Sequence, residues 1–135
     1  MTSITWSIPD RLARSSRPGR DLGGNVPVDA ATVDEWTAAI KAEGIRSVIC
    51  LLGDDQLPLY DALPGGLIEY YRSAGFEVVH VPSRDHQSPA LSREQLEAVT
   101  RAYRELPKPV LVHCSAGISR TGDAVQYIKM TEGNL

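Results

Sequence analysis

The sequence predicts an α/β domain of three layers, α/β/α, built on a central and largely parallel sheet of four or five strands. Three observations predict it. Two short, continuous apolar runs, "RSVICLL" at 46–52 and "VLVH" at 110–113, have the length and β-branched content of strands buried on both faces. Stretches of helical period alternate with such runs, and that alternation folds as parallel strands joined by crossover helices. Glycine and proline punctuate the joins.

In order along the chain, "SITWSI" alternates apolar residues and ends at Pro9-Asp10, a strand followed by a turn, with "RLARSS" as its hairpin partner. The aperiodic, Gly- and Pro-rich "RPGRDLGGNVP" is a loop. Val33, Trp36 and Ile40 recur at helical spacing and predict a helix over 30–43, stopped at Gly44. "RSVICLL" follows as a buried strand holding Cys50. Leu67, Tyr70, Tyr71 and Ala74 mark a helix over 66–74, and "FEVVHVP" is the next strand, closed by Pro82. After the polar loop "SRDHQSPAL", Ser92 and Gln95 form a capping box, with Leu91 and Leu96 as its hydrophobic staple. That helix continues through Val99, Tyr103 and Leu106 to Pro107 and Pro109. "VLVH" then leads into a loop and a last helix over 121–130.

With 135 residues, the length prior gives a single domain over 1–135. Hydrophobic residues make up 42% and charged ones 23%, an ordinary soluble balance with no segment long and apolar enough to cross a bilayer, so no membrane insertion is expected. The start "MTSITWSIPDR" lacks the features of a signal peptide, and the expected location is cytoplasmic. Two cysteines, with three histidines scattered among them, make neither a disulfide framework nor a zinc site, so no metal is expected. The net charge of −3 argues against general nucleic-acid binding, with the local basic stretch "RLARSSRPGR" as the exception.

The chemistry concentrates in "HCSAGISRTG", His113 to Gly122. A buried cysteine is ordinarily packing, but this one leaves a strand and enters a helix through a glycine-containing loop. At the carboxyl edge of a parallel sheet such a loop can curl its N–H groups inward, next to the positive end of the helix. Ser115, Ala116, Gly117, Ile118 and Ser119 would then line a phosphate-sized cradle, with Arg120 closing over the anion as a bidentate fork. The same dipoles and charge favour the thiolate of Cys114. His113, on the opposite side of the extended chain, supports the loop from behind, and Thr121 can donate to the sulfur. Cys50 reads as a small apolar strand residue, a redox pairing with Cys114 being the minor alternative. His80, His86 and Arg84 read as a strand histidine, a loop histidine and a solvated arginine.

These residues resemble the signature loop of the cysteine-dependent protein tyrosine phosphatase superfamily: His-Cys, five residues, Arg, then Ser or Thr. "RSSRPG", "AEGIRSVICLL", the polar loop after the fourth strand and the capped helix follow the order of its compact dual-specificity members. The resemblance implies a general acid on a loop upstream of the nucleophile, which points to Asp85 in "VPSRDHQSP". It implies a two-step reaction: Cys114 attacks phosphorus, Arg120 and the loop amides hold the equatorial oxygens, Asp85 protonates the leaving oxygen, and water releases the phosphocysteine while Thr121 assists the departing thiolate. No cofactor is implied. The substrate would be a phosphorylated protein, bearing phosphotyrosine and phosphoserine or phosphothreonine, or a small phosphate monoester. The alternatives are a non-protein substrate (phosphoinositide, nucleotide or RNA 5′-phosphate) and a phosphate-binding module of low activity. The family usually carries further helices after the signature-loop helix. Here they are short or missing, so an apolar face left open would favour a homo-oligomer.

Overall fold

The computed structural model describes residues 3–23, 25–84 and 87–132. Strands β1 (Thr5–Ile8), β2 (Leu12–Ser15), β3 (Ser47–Cys50), β4 (Glu77–His80) and β5 (Val110–His113) form one sheet in the order β1-β2-β5-β3-β4. β1 and β2 are the antiparallel hairpin that "SITWSI" and "RLARSS" predict, and all other pairings are parallel. Four helices, α1 (Ala30–Ala42), α2 (Gly66–Ser73), α3 (Arg93–Glu105) and α4 (Ser119–Thr131), connect or follow the strands.

The central position of β5 follows from its composition, since every residue of "VLVH" is buried. It pairs with β2 through Ser15↔His113 and with β3 through Cys50↔His113. Because side chains alternate across a strand, the sheet carries two apolar cores. On one face Ile49, Leu51 and Val112 pack with Val99 and Tyr103 of α3 and Val125 and Ile128 of α4. On the other, Val48, Cys50 and Leu111 pack with Val33, Trp36 and Ile40 of α1 and Leu67 and Tyr71 of α2. These are the three layers the alternation predicts. Each such aliphatic side chain contributes roughly 1.5–3 kcal/mol on burial.

The helix boundaries carry the local signals. Asp29 caps α1 by accepting from the Thr32 N–H, a capping that the hydrophobic period alone does not reveal. Ser92 and Gln95 make the full capping box of α3, and Leu91 is buried beside Leu96 as the staple requires. Two differences from the sequence reading matter for the site. The chain between β3 and α2 includes a 3-10 turn, Leu57–Tyr60, that buries Tyr60. Helix α4 begins at Ser119 rather than at 121, so Arg120 belongs to its first turn and not to the preceding loop. Among the described residues no helix is long and apolar enough to cross a membrane.

Candidate active site

Cys114 follows β5 directly and lies at the floor of a cavity of about 400 Å³ also lined by Ser115, Ala116, Ile118, Ser119 and Arg120. The loop between Cys114 and α4 curls because Gly117 adopts φ +77°, a left-handed conformation open to glycine at little cost. A side chain there is excluded twice over: a Cβ would collide with the carbonyl oxygen of Ser15 and sit 2.8 Å from the Ser16 nitrogen.

The orientation of the loop is enforced from outside. Arg14 Nη2 donates to the carbonyls of Gly117 at 2.8 Å and Ile118 at 3.2 Å. The Arg17 backbone N–H donates to the Ser115 carbonyl at 2.9 Å. With three loop carbonyls engaged from outside, the loop's amide N–H groups are left to turn the other way, the arrangement an anion cradle needs. The first turn of α4 adds to it, for its N-cap residue Ile118 supplies no side-chain bond to the terminal N–H groups.

The segment that braces the loop is itself held. Arg17, 2% exposed, donates from Nε to Ser115 Oγ and from Nη1 to the Tyr60 hydroxyl. Tyr60 passes a 2.6 Å hydrogen bond to the Pro18 carbonyl, and burial raises its pKa to about 12, so it stays protonated for that purpose. Trp36 Nε1 donates to the Ser16 carbonyl. Within the basic stretch "RLARSSRPGR", Arg14 and Arg17 thus turn toward the loop after Cys114.

At Cys114, burial raises the thiol pKa. The Thr121 hydroxyl, the backbone N–H groups of Thr121 and Gly117 and the charge of Arg120 together outweigh burial and bring it below the usual 9.0. Thr121 Oγ1 is buried and makes no hydrogen bond of standard geometry to any group, yet it lies near enough to the sulfur to lower its pKa. We read it as a donor whose acceptor is the thiolate. Arg120 is 3% exposed, and its Nη1 donates to the Ser83 carbonyl at 2.8 Å, Gln56 Oε1 at 3.2 Å and the Leu51 carbonyl at 3.4 Å. These bonds hold the guanidinium in place beside Cys114 in the same cavity. Just past β3, the Leu51 carbonyl accepts from the Ser83 backbone N–H and hydroxyl as well as from Arg120.

His113 lies on the sheet face opposite Cys114, stacked edge-on against Trp36 and Tyr71. Burial, helped by the charges of Arg17 and Arg120, lowers its pKa to about 4 against the opposing hydrogen bond to Cys114. It is therefore neutral at pH 7, and the tautomer follows from its partners. The Cys114 carbonyl, 2.9 Å from Nδ1, can only accept, so Nδ1 carries the proton and Nε2 accepts from the Tyr71 hydroxyl at 2.9 Å.

Asp85 and His86 lie outside the described residues, so the expected general acid has no structural account. The loop flanks are fixed: Gln95 of the α3 capping box donates from Nε2 to the Pro82 carbonyl and accepts from Gln87 Nε2. Arg84 is exposed. Cys50 belongs to the core across the sheet from Cys114. Among the described residues no three His, Cys, Asp or Glu side chains come together as a metal site.

The Tc-R-P family, described as "Polymorphic toxin system, DSP-PTPase phosphatase", matches residues 22–134. Among solved structures, Tk-PTP in a mutant form matches at 28% identity and TM-score 0.66, covering 97% of this chain and 73% of that one. Tk-PTP in the active form matches at 26% and 0.65, covering 97% and 75%. A DUF442 protein from Shewanella putrefaciens CN-32 shares the fold at 22% and 0.66, covering 96% and 72%. Comparison with curated proteins finds no significant match.

Proposed function

The chain belongs to the Tc-R-P family of DSP-PTPase phosphatases, and from that premise we propose that it hydrolyses phosphate monoesters of proteins, phosphotyrosine and phosphoserine or phosphothreonine alike, through a phosphocysteine. One observation carries this reading: Cys114 and the buried guanidinium of Arg120 line one cavity, around a loop that Gly117 curls at φ +77° and that Arg14 and Arg17 hold from outside.

The Cys114 thiolate attacks phosphorus in line; the S–P bond forms as the bond to the leaving oxygen breaks, and Asp85 delivers its proton to that oxygen. The amides of the loop over 115–120 and the Arg120 fork carry the charge on the equatorial oxygens. Water then attacks phosphorus and gives its proton to Asp85. The S–P bond breaks, and Thr121 stabilises the sulfur that leaves.

The test is hydrolysis of p-nitrophenyl phosphate and a phosphopeptide panel by the wild type, Cys114→Ser and Asp85→Asn. Cys114→Ser should abolish turnover while tungstate still binds, and Asp85→Asn should slow poor leaving groups most. Wild-type-like turnover by Cys114→Ser would refute the mechanism. A wild type that binds oxyanions and turns over nothing would establish a binding module instead.

A further inference from the structure

One cation at the cavity has no place in that mechanism. Arg20, in the short 3-10 turn Arg20–Leu22, lines the same cavity as Cys114 and Arg120. It differs from Arg14 and Arg17, which brace the signature loop through donated hydrogen bonds. Among the described residues the half-buried Arg20 side chain makes no hydrogen bond or ion pair. Its backbone alone is engaged, with the N–H donating to the Arg17 carbonyl and the carbonyl accepting from Gly23.

Gly19, at φ +84°, packs against Val28, whose methyl carbons would lie within 3 Å of any Cβ placed there. The turn is thereby seated on the domain, and Arg20 is delivered to the cavity wall by fixed backbone. At the rim Ile118, 69% exposed, offers an apolar surface between wall and solvent. A phosphate held by the loop around Cys114 would share its cavity with Ile118 and with the guanidinium of Arg20. Such a group pairs with carboxylate or phosphate in a two-bonded fork.

We infer that Arg20 selects substrates carrying a second anionic group close to the phosphate to be removed. The inference rests on the phosphatase reading for its floor, but it concerns binding and is testable apart from turnover. The second anion is either an acidic side chain flanking the phosphoresidue or another phosphate of a small bisphosphate.

In the Cys114→Ser protein, calorimetric titration compares a phosphotyrosine peptide flanked by glutamates with the same peptide flanked by glutamines. A second pair compares a nucleoside 3′,5′-bisphosphate with the 5′-monophosphate. In at least one pair the more anionic member binds about tenfold tighter, the size expected of one charge-assisted contact. Arg20→Ala then brings that ratio close to unity, while Arg20→Lys keeps part of it. The responding pair identifies the source of the anion. Ratios near unity in both pairs, a ratio that survives Arg20→Ala, or no binding by any member overturns the inference. Wild-type turnover of p-nitrophenyl phosphate is read in parallel: its absence would count against the phosphatase reading and leave the Arg20 ratios standing.

Discussion

Arg17 is joined to Ser115 twice, by its backbone N–H to the Ser115 carbonyl at 2.9 Å and by Nε to the Ser115 hydroxyl at 3.1 Å. Two segments almost a hundred residues apart in sequence are thereby locked where the chain leaves β5. A buried guanidinium is costly unless its donors are satisfied, and here Ser115, Tyr60 and the Pro18 carbonyl receive them. The loop after Cys114 and its support therefore form one polar unit.

Removing that guanidinium should act on stability and activity together. Arg17→Ala leaves the Ser115 and Tyr60 hydroxyls buried without their donor, at about 2–4 kcal/mol, and frees the Ser115 end of the cradle. Urea unfolding and kcat/KM on p-nitrophenyl phosphate should both fall, with Arg17→Lys between the variant and the wild type because it keeps charge but not the fork. An unchanged unfolding midpoint in Arg17→Ala would contradict this role.

Acid should destabilise the fold through His113. Its pKa is lowered from 6.5 to about 4 by burial, so between those values the unfolded chain takes up a proton that the folded chain refuses. Stability from this group is complete above pH 6.5, declines as the pH falls to 4 and changes no further below, a loss on the order of 3 kcal/mol. Urea unfolding at pH 7 and pH 4.5 checks it: His113→Asn should be less stable at pH 7 and lose less than the wild type on acidification.

Much of this is legible in the sequence. Strands β3 and β5 follow from runs of buried apolar residues, α3 from its capping box, and Cys114 with Arg120 from a contiguous motif, because each signal is local. Arg14, Arg17, Gln56, Tyr60 and Tyr71 are not, since their roles exist only once β2 and β3 flank β5. An arginine is ordinarily a surface residue, and nothing in "RSSRPG" says that Arg17 will be buried. The resemblance marked that segment as part of the pattern without saying what it does.

Gly117 should tolerate no side chain. Gly117→Ala must leave the left-handed region or push the 15–16 backbone away, and either movement turns the cradle amides from the sulfur. Turnover should fall about 100-fold or more, in line with loss of an oxyanion donor. The thiol pKa, read by the pH dependence of alkylation, should rise. Activity within a few-fold of wild type would show that the loop curls without this glycine.

Cys50 should not pair with Cys114. Burial raises its pKa to about 12, which leaves almost no thiolate at neutral pH to attack an oxidised partner. Its side chain packs in the core on the other face of the sheet. Mild peroxide followed by mass spectrometry should find Cys114 oxidised or joined to an added thiol and Cys50 reduced; a Cys50–Cys114 linkage would show that the strand edge opens.

Thr121 should set both the acidity of Cys114 and its quality as a leaving group. Its hydroxyl leads the interactions that oppose burial and favour the thiolate, so Thr121→Val must raise the thiol pKa, and Thr121→Ser must leave it close to wild type. The acid limb of iodoacetamide alkylation moves to higher pH in the valine variant, and at a fixed pH below that limb the rate falls. In the proposed mechanism the same loss acts again where sulfur leaves phosphorus as an anion. With p-nitrophenyl phosphate, whose leaving group needs little help, the first step should be slowed less than the second. Phosphocysteine should then accumulate in Thr121→Val, visible as a burst of nitrophenol followed by a slower steady rate. A valine variant with unshifted alkylation and no burst would reduce Thr121 to a packing residue at the start of α4.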